Sequence, residues 1–343
     1  MQTLTAKPCV TDRARPATLA DVAREAGVSI ATVSRVLNSK LAVPITPETE
    51  RRIREASDRL GYRPNAIARA LATQRTHTLA LFTDEMTDPH FAQMLGPVEQ
   101  SLRERGYRLA VCSDIEGMLA EGRVDGAILL ADPVTGPARF GAIGIPVAYV
   151  WSASSACRHC VSWNDTDGAA LAVRHLSSLG HARIAGLFGD YPLDGAPPDK
   201  VVGFRAAAAA PGAASREWLG SLAPHQFENG YMLVRQALAE TRDWTAIFAR
   251  NDYLALGALR ALREAGVAVP EQVAVVGYND TELARFADPP LTSVRTPIAE
   301  CGALAAVRLV EAIESGSSQI VGEELSMRLT IRGSCGAGRT AAE

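Results

Sequence analysis

The sequence predicts an all-α domain, in which two short helices are joined by a glycine turn, followed by a larger α/β domain of two lobes built on doubly wound parallel sheets. Three observations carry this. The 343 residues exceed what one ordinary domain holds and suit a small domain plus a larger one. Between Thr18 and Gly61 the apolar residues recur at helical spacing between capping signals. After Arg75 short apolar runs alternate with amphipathic stretches, the pattern of parallel sheets with crossover helices.

In the helical part, residues 1–17 show no periodicity and read as a flexible leader. Thr18 is placed to cap a helix from Leu19 to Glu25, with Val22 and Ala23 inward and Gly27 as its stop. Ser29 caps a second helix, with Val33, Val36 and Leu37 on one face. Thr46 followed by Pro47 starts a third, running through Ile53, Ala56 and Leu60 to Gly61. The domain is expected over 18–63, a linker over 64–76, the α/β domain over 77–336 and a flexible tail over 337–343.

In the α/β part the expected strands are Leu79–Phe82, Arg108–Cys112, Ala127–Leu130, Val147–Val150, Ile184–Phe188, Ala246–Phe248 and Val273–Gly277. The expected helices are Phe91–Arg105, Gly168–Leu179, Tyr231–Glu240, Tyr253–Glu264 and Ile298–Glu314. Seven or more such strands fit two open sheets better than one, with a ligand cleft between lobes. Between Cys112 and Val124 only eleven residues remain, so the crossover helix there must be short.

Composition narrows the function. Hydrophobic residues make up 47% of the chain, ample for packed cores, so wholesale disorder is excluded. No apolar run serves as a secretory signal or spans a bilayer, which points to the cytoplasm and away from a membrane. The six cysteines are too scattered for a disulfide scaffold. Residues 1–75 carry 13 Lys/Arg against 7 Asp/Glu, a net of +6, and residues 76–343 carry 22 against 31, a net of −9. A basic end on an acidic body suits a protein that offers one end to a polyanion, although small domains also vary in charge by chance.

Two short helices around the turn Ala26–Gly27–Val28–Ser29 form a helix-turn-helix candidate for DNA binding. Its second helix would enter the major groove with Ile30, Ala31, Thr32, Ser34 and Arg35 leading. Arg35 can fork to a guanine, and Ile30 and Ala31 offer apolar contact to a thymine methyl. An ordinary three-helix module with a surface arginine has the same spacing, and spacing alone does not separate the two.

The residues TLADVAREAGVSIATVSRVLN, then RLGYRPNAIARALATQRT, resemble the helix-turn-helix and hinge of the lactose/galactose repressor family. The resemblance continues through LALFTDEMTDPHFAQML, WTAIFARNDYLALGALRALREAGVAVPEQVAVVGYND and PPLTSVRTPI, covering roughly Leu19 to Gly336. It implies a homodimer bound to a near-palindromic operator in double-stranded DNA. The DNA-binding residues carried over are Thr18, Ser29, Ile30, Ala31, Thr32, Ser34, Arg35 and Asn38. A hinge helix from Asn65 to Leu71, with Ala68 and Arg69, would fold on DNA and wedge Leu71 into the minor groove. Read alone, that segment is a short helix, marginal in isolation. The loop Ser39–Ile45 departs from the family by about two extra residues.

The larger part also resembles periplasmic-binding-protein-like sensors, and the family implies a small-molecule effector, a carbohydrate, gripped between lobes. Carried over by motif, its contacts are His90 and Phe91 from DPHF, Lys200, Asn251 from NDYLALGAL and Asn279 from GYND. Lys200 stands where the family usually has arginine, and Asn279 where it usually has aspartate. A lysine lacks the planar two-point fork, and an asparagine both donates and accepts. The neighbouring Asp280 would be aimed the other way by strand alternation.

Other chemistry finds little support. Cys157-Arg158-His159-Cys160 has no second ligand pair to complete a zinc site, so no metal or cofactor is expected. No GxGxxG, GxxxxGK[ST] or GxSxG motif occurs, and no enzyme is expected. The reading is a sequence-specific transcription regulator, a repressor, whose operator affinity an effector controls. The alternatives are an activator, a regulator without an effector, a cytoplasmic sugar-binding protein or an enzyme.

Overall fold

The computed structural model describes residues 15, 17–37, 45–63, 70, 73–83, 89–112, 115–130, 144–152, 160–189, 197–209, 214–220 and 226–337. The chain divides into two compact units, Met1–Thr76 and His77–Glu343.

The first unit holds α1 (Leu19–Ala26), α2 (Ile30–Leu37) and α3 (Pro47–Arg59). Its core consists of Val22, Ala23, Ala26, Val33, Val36, Ile53 and Ala56, with Leu19, Val28, Leu37, Ile45 and Tyr62 packed at its margin. These side chains are mostly small, so Ile53, fully buried, contributes the largest single share, about 1.5–3 kcal/mol. The ion pairs on α3, Arg51–Glu55 and Arg54–Glu50, lie at the surface, where such pairs contribute about 0–1 kcal/mol each. Packing, not charge, holds this unit together.

The second unit contains two six-stranded sheets among the described residues. The first lobe is built from β1 (Thr78–Thr83), α4 (Pro89–Glu104), β2 (Arg108–Cys112), α5 (Ile115–Ala120), β3 (Gly126–Leu130), β4 (Val147–Ser152) and β5 (Cys160–Trp163). The second takes α6 (Asp165–Ser178), β6 (Arg183–Gly189), α7 (Asp199–Ala208), β7 (Ala214–Leu219), α8 (Gln226–Glu240), β8 (Ala246–Ala249), α9 (Asp252–Glu264), β9 (Ala274–Tyr278), α10 (Glu282–Phe286) and β10 (Thr292–Arg295). The chain then returns through α11 (Ile298–Ser315) and β11 (Glu323–Glu324) to the first lobe, and through β12 (Arg328–Thr330) to the second.

The strand orders are β11-β5-β4-β3-β1-β2 and β12-β10-β9-β8-β6-β7. Every pairing is parallel except β10 with β12. In the first lobe α4 and α11 cover one sheet face through Met94, Val98, Leu102, Ala305 and Leu309, and Ile115 of α5 packs on the other. The short crossover after β2 is a six-residue helix, as the eleven-residue spacing requires. In the second lobe Phe188, Phe204, Phe248 and Tyr278 form one aromatic cluster.

Three crossings therefore join the lobes: β5 to α6 at Trp163–Asp165, β10 to α11 at Thr296–Pro297, and β11 to β12 at Leu325–Met327. Strands β5, β7, β10, β11 and β12 and helices α7 and α10 were not among the expected elements. β5 and β10 are fully or nearly fully buried yet carry Ser162, Thr292 and Ser293, so hydropathy does not mark them.

Candidate nucleic-acid interface and sensing site

Caps fix the entry and exit of the paired helices. The Thr18 hydroxyl accepts from the Asp21 N–H at 3.3 Å, while the Asp21 carboxylate accepts from the Thr18 N–H at 2.9 Å and its hydroxyl at 2.6 Å. The Thr18 hydroxyl and backbone bonds hold the Asp21 carboxyl below its ordinary range. Gly27 ends α1 at φ +63°, with its N–H aimed at the carbonyls of Ala23 and Arg24. Arg52 of α3 donates to the Ala26 carbonyl, tying the third helix to the turn. The Ser29 hydroxyl accepts from the Thr32 N–H at 3.1 Å and bonds the Thr32 hydroxyl at 2.8 Å.

These caps aim α2. Val33 and Val36 point into the core, Ile30 is 52% exposed, Ala31 and Arg35 are exposed, and Thr32 and Ser34 are half-buried. Arg24, Arg51, Arg54 and Arg59 each pair with a carboxylate: Asp21, Glu55, Glu50 and Glu25. Arg35 has no such partner among the described residues. An exposed helix face that combines an unpaired guanidinium with an apolar Ile30 has the chemistry that reads guanine edges and thymine methyls. Asn38, Asn65, Ala68, Arg69 and Leu71 lie outside the described residues.

In the second unit the five expected effector residues have different fates. His90 is the second residue of α4, and its side chain lies outside what is described. Phe91 is 2% exposed and packs with the core residues of the first lobe. The Lys200 ammonium stands 3.8 Å from Asp165 Oδ2 and 4.1 Å from the centre of the Tyr278 ring. The Asn251 side chain caps α9, accepting from the Leu254 N–H at 2.9 Å, and its amide donates to Gln226. Asn279 adopts φ +94° and its side-chain oxygen accepts from the Thr296 hydroxyl at 3.1 Å.

Asp280 is aimed away from Asn279, but not by strand alternation. β9 ends at Tyr278, and Asn279 and Asp280 both have positive φ. The Asp280 carboxylate pairs with Arg332 at 2.7 Å and accepts from Thr330 at 2.8 Å.

Sequence reading missed Asp252. It is fully buried, accepts from the Ser293 hydroxyl and the Thr281 N–H at 2.6 Å each, and so pins the turn that carries Asn279. Burial, against those two bonds, pushes its carboxyl up to about 6. Its adjacency to the capping Asn251 was the available signal. Cys157 and His159 lie outside the described residues, and Cys160 is buried in β5. No helix among the described residues is long and apolar enough to cross a membrane.

The profile for bacterial regulatory proteins, lacI family, matches residues 18–65, and that for the periplasmic binding protein-like domain matches residues 173–335. The ribose operon repressor of Escherichia coli (strain K12) is 35% identical over 334 residues, 93% of this chain and 99% of that protein. The chain belongs to the lacI family. A crystal structure of the lac repressor dimer bound to operator and the anti-inducer ONPF superposes with a TM-score of 0.80 at 27% identity, covering 94% of this chain and 99% of that one. The structure titled transcriptional regulator CelR-cellobiose complex gives 0.65 at 33% identity, covering 93% and 100%. This lacI-family chain is thus a DNA-binding transcription regulator, not an enzyme, and its larger unit has the periplasmic-binding-like fold.

Proposed function

We propose that the protein is a cytoplasmic repressor that binds a near-palindromic operator as a homodimer and changes its grip when a small carbohydrate binds between the lobes. The observation that carries the DNA half is the exposed face of α2, where Ile30, Ala31 and Arg35 stand free of the core. In this reading Arg35 forks to a guanine, Ile30 and Ala31 meet apolar base edges, Thr32 and Ser34 face base edges beside them, and Thr18, Ser29 and Asn38 add further DNA contacts. Asn65, Ala68, Arg69 and Leu71 form the hinge, with Leu71 as the minor-groove wedge. The domain limits follow: 18–63 for DNA reading, 64–76 for the hinge and 77–336 for sensing.

The effector half rests on Lys200, Asn251 and Asn279 lying near the lobe crossings or at strand ends, where open α/β sheets bind ligands. The sugars in the relatives' names, ribose and cellobiose, set the first compounds to try. The homodimer is supported by exposed apolar side chains on the second lobe. Phe286 is 69% and Leu283 44% exposed on α10, which packs on α9, and Phe227 stacks edge-on at 4.6 Å against Tyr253 of α9. Exposed apolar groups of this kind mark interaction surfaces.

The test measures binding to an operator duplex, by fluorescence anisotropy, with and without D-ribose and cellobiose. A change of five-fold or more in affinity with either sugar supports control by a carbohydrate, a coupling on the order of 1 kcal/mol. Operator binding that neither sugar shifts, together with no thermal stabilisation by either, removes these two as effectors. For the dimer, Phe286→Glu should halve the mass by light scattering; an unchanged dimer would place the interface elsewhere.

A further inference from the structure

Tyr278 is the largest of the fully buried side chains, and it sits where the three lobe crossings meet. Its hydroxyl donates to Asp165 Oδ1 at 2.7 Å, in the first crossing, and lies 3.4 Å from the Met327 sulfur, in the third. The next residue, Asn279, is bonded to Thr296 in the second crossing. Trp163, the last residue of β5, donates its indole N–H to the same Asp165 oxygen at 3.0 Å. Gly168 leaves the room this needs, since a Cβ there would stand 2.3 Å from the Tyr278 hydroxyl.

The two oxygens of Asp165 face different ways. Oδ1 takes the donors from Tyr278 and Trp163, while Oδ2 faces the Lys200 ammonium at 3.8 Å. That ammonium also lies over the Tyr278 ring at 4.1 Å. At 3.8 Å the ion pair is loose, so the ammonium can be drawn off by another acceptor. Doing so leaves one half-buried carboxylate oxygen without its countercharge, and the carboxylate must turn toward other donors. Any turn loosens its bonds to Trp163 and Tyr278, and a change of lobe angle must bend those same crossings.

We infer that the Asp165–Tyr278 pair is the positioning element that couples whatever engages Lys200 to the angle between the lobes. This rests on Lys200 belonging to the effector site. Burial, with Asp165 the next cause, holds the Tyr278 hydroxyl well above its ordinary range, so it stays a proton donor to Asp165.

The test uses the full chain without ligand, so it does not depend on knowing the effector. Hydrogen–deuterium exchange is followed in peptides spanning the three crossings, for the natural sequence, Lys200→Met and Tyr278→Phe. Tyr278→Phe keeps the ring beneath the ammonium and removes only the hydroxyl. Both variants should speed exchange several-fold at all three crossings together while leaving β6 and β8 unchanged, and Lys200→Arg should restore it. The Trp163 emission, isolated as the difference from a Trp163→Phe counterpart, should shift in Lys200→Met. Exchange that rises only around α7, with Trp163 emission unmoved, would show that Lys200 acts locally and overturn the coupling. Failure of the effector premise shows separately, as a thermal shift by D-ribose or cellobiose that is the same in the natural sequence and in Lys200→Met.

Discussion

Arg52 donates a hydrogen bond to the carbonyl of Ala26, and its guanidinium occupies the space above Gly27. A Cβ on Gly27 would stand 2.9 Å from Arg52 Nη2, on a backbone already at φ +63°. Gly27→Ala should therefore lower the stability of the DNA-binding unit by about 1–2 kcal/mol, the cost of a side chain in left-handed backbone. The displaced guanidinium is flexible and adds little. A thermal melt of residues 15–76 within the full chain, followed by a probe on α3, checks this; an unshifted first transition would show that the turn tolerates a side chain.

Thr18→Ala removes the hydroxyl half of the capping box on α1 and leaves the residue-18 N–H to donate to Asp21. The helix should lose about 1 kcal/mol. Asp21 should also move part of the way back toward the ordinary carboxylate value, because the Thr18 hydroxyl bond is the first cause that lowers it and the backbone N–H bond remains. An NMR titration of the Asp21 carboxyl in both chains measures this, and identical midpoints would mean that the box does not hold in solution.

Arg35→Ala should cost about 1–3 kcal/mol in operator affinity and relax preference at one base pair of each half-site. An equal loss on random duplex would mean that Arg35 touches only phosphate. The paired arginines offer the contrast: Arg54→Ala frees Glu50 at the surface and should leave sequence preference unchanged.

Asp252 predicts a pH signature for the sensing unit. The folded state binds its proton more tightly than the unfolded chain, since burial pushes the carboxyl up to about 6. Its contribution is therefore fully present below about pH 4 and is lost as pH rises through about 6, on the order of 3 kcal/mol. Asp252→Asn does not titrate, so denaturant melts of the two chains should diverge in the variant's favour over that range. A constant gap would show that the carboxylate is ionised throughout.

Much of this was legible in the residues. Thr18, Gly27, Ser29 and Thr46 announce the helix ends because caps act locally, and each was found where expected. The seven expected strands stand within a residue or two of their predicted limits. Those inside the sheets are apolar because both faces are covered, while β2 lies at an edge and is partly exposed. Buried polar groups were not legible. Ser293 in β10 and Asp252 in α9 satisfy each other across 41 residues of sequence, a distance no local pattern reports. The same holds for Asp165, whose partners Lys200 and Tyr278 lie 35 and 113 residues away in sequence. The burial of Phe91 was not legible either, because a motif fixes which residues are present but not which way the helix turns them.

Selection of bound duplexes from a random DNA pool, with purified full-length protein at moderate salt, bears most directly on DNA reading by a symmetric dimer. An enriched near-palindrome, with half-sites on one face of the duplex and a guanine that Arg35→Ala no longer selects, is the expected result. Enrichment of a single unpaired half-site, or of no sequence in the absence and presence of D-ribose and cellobiose, would refute it.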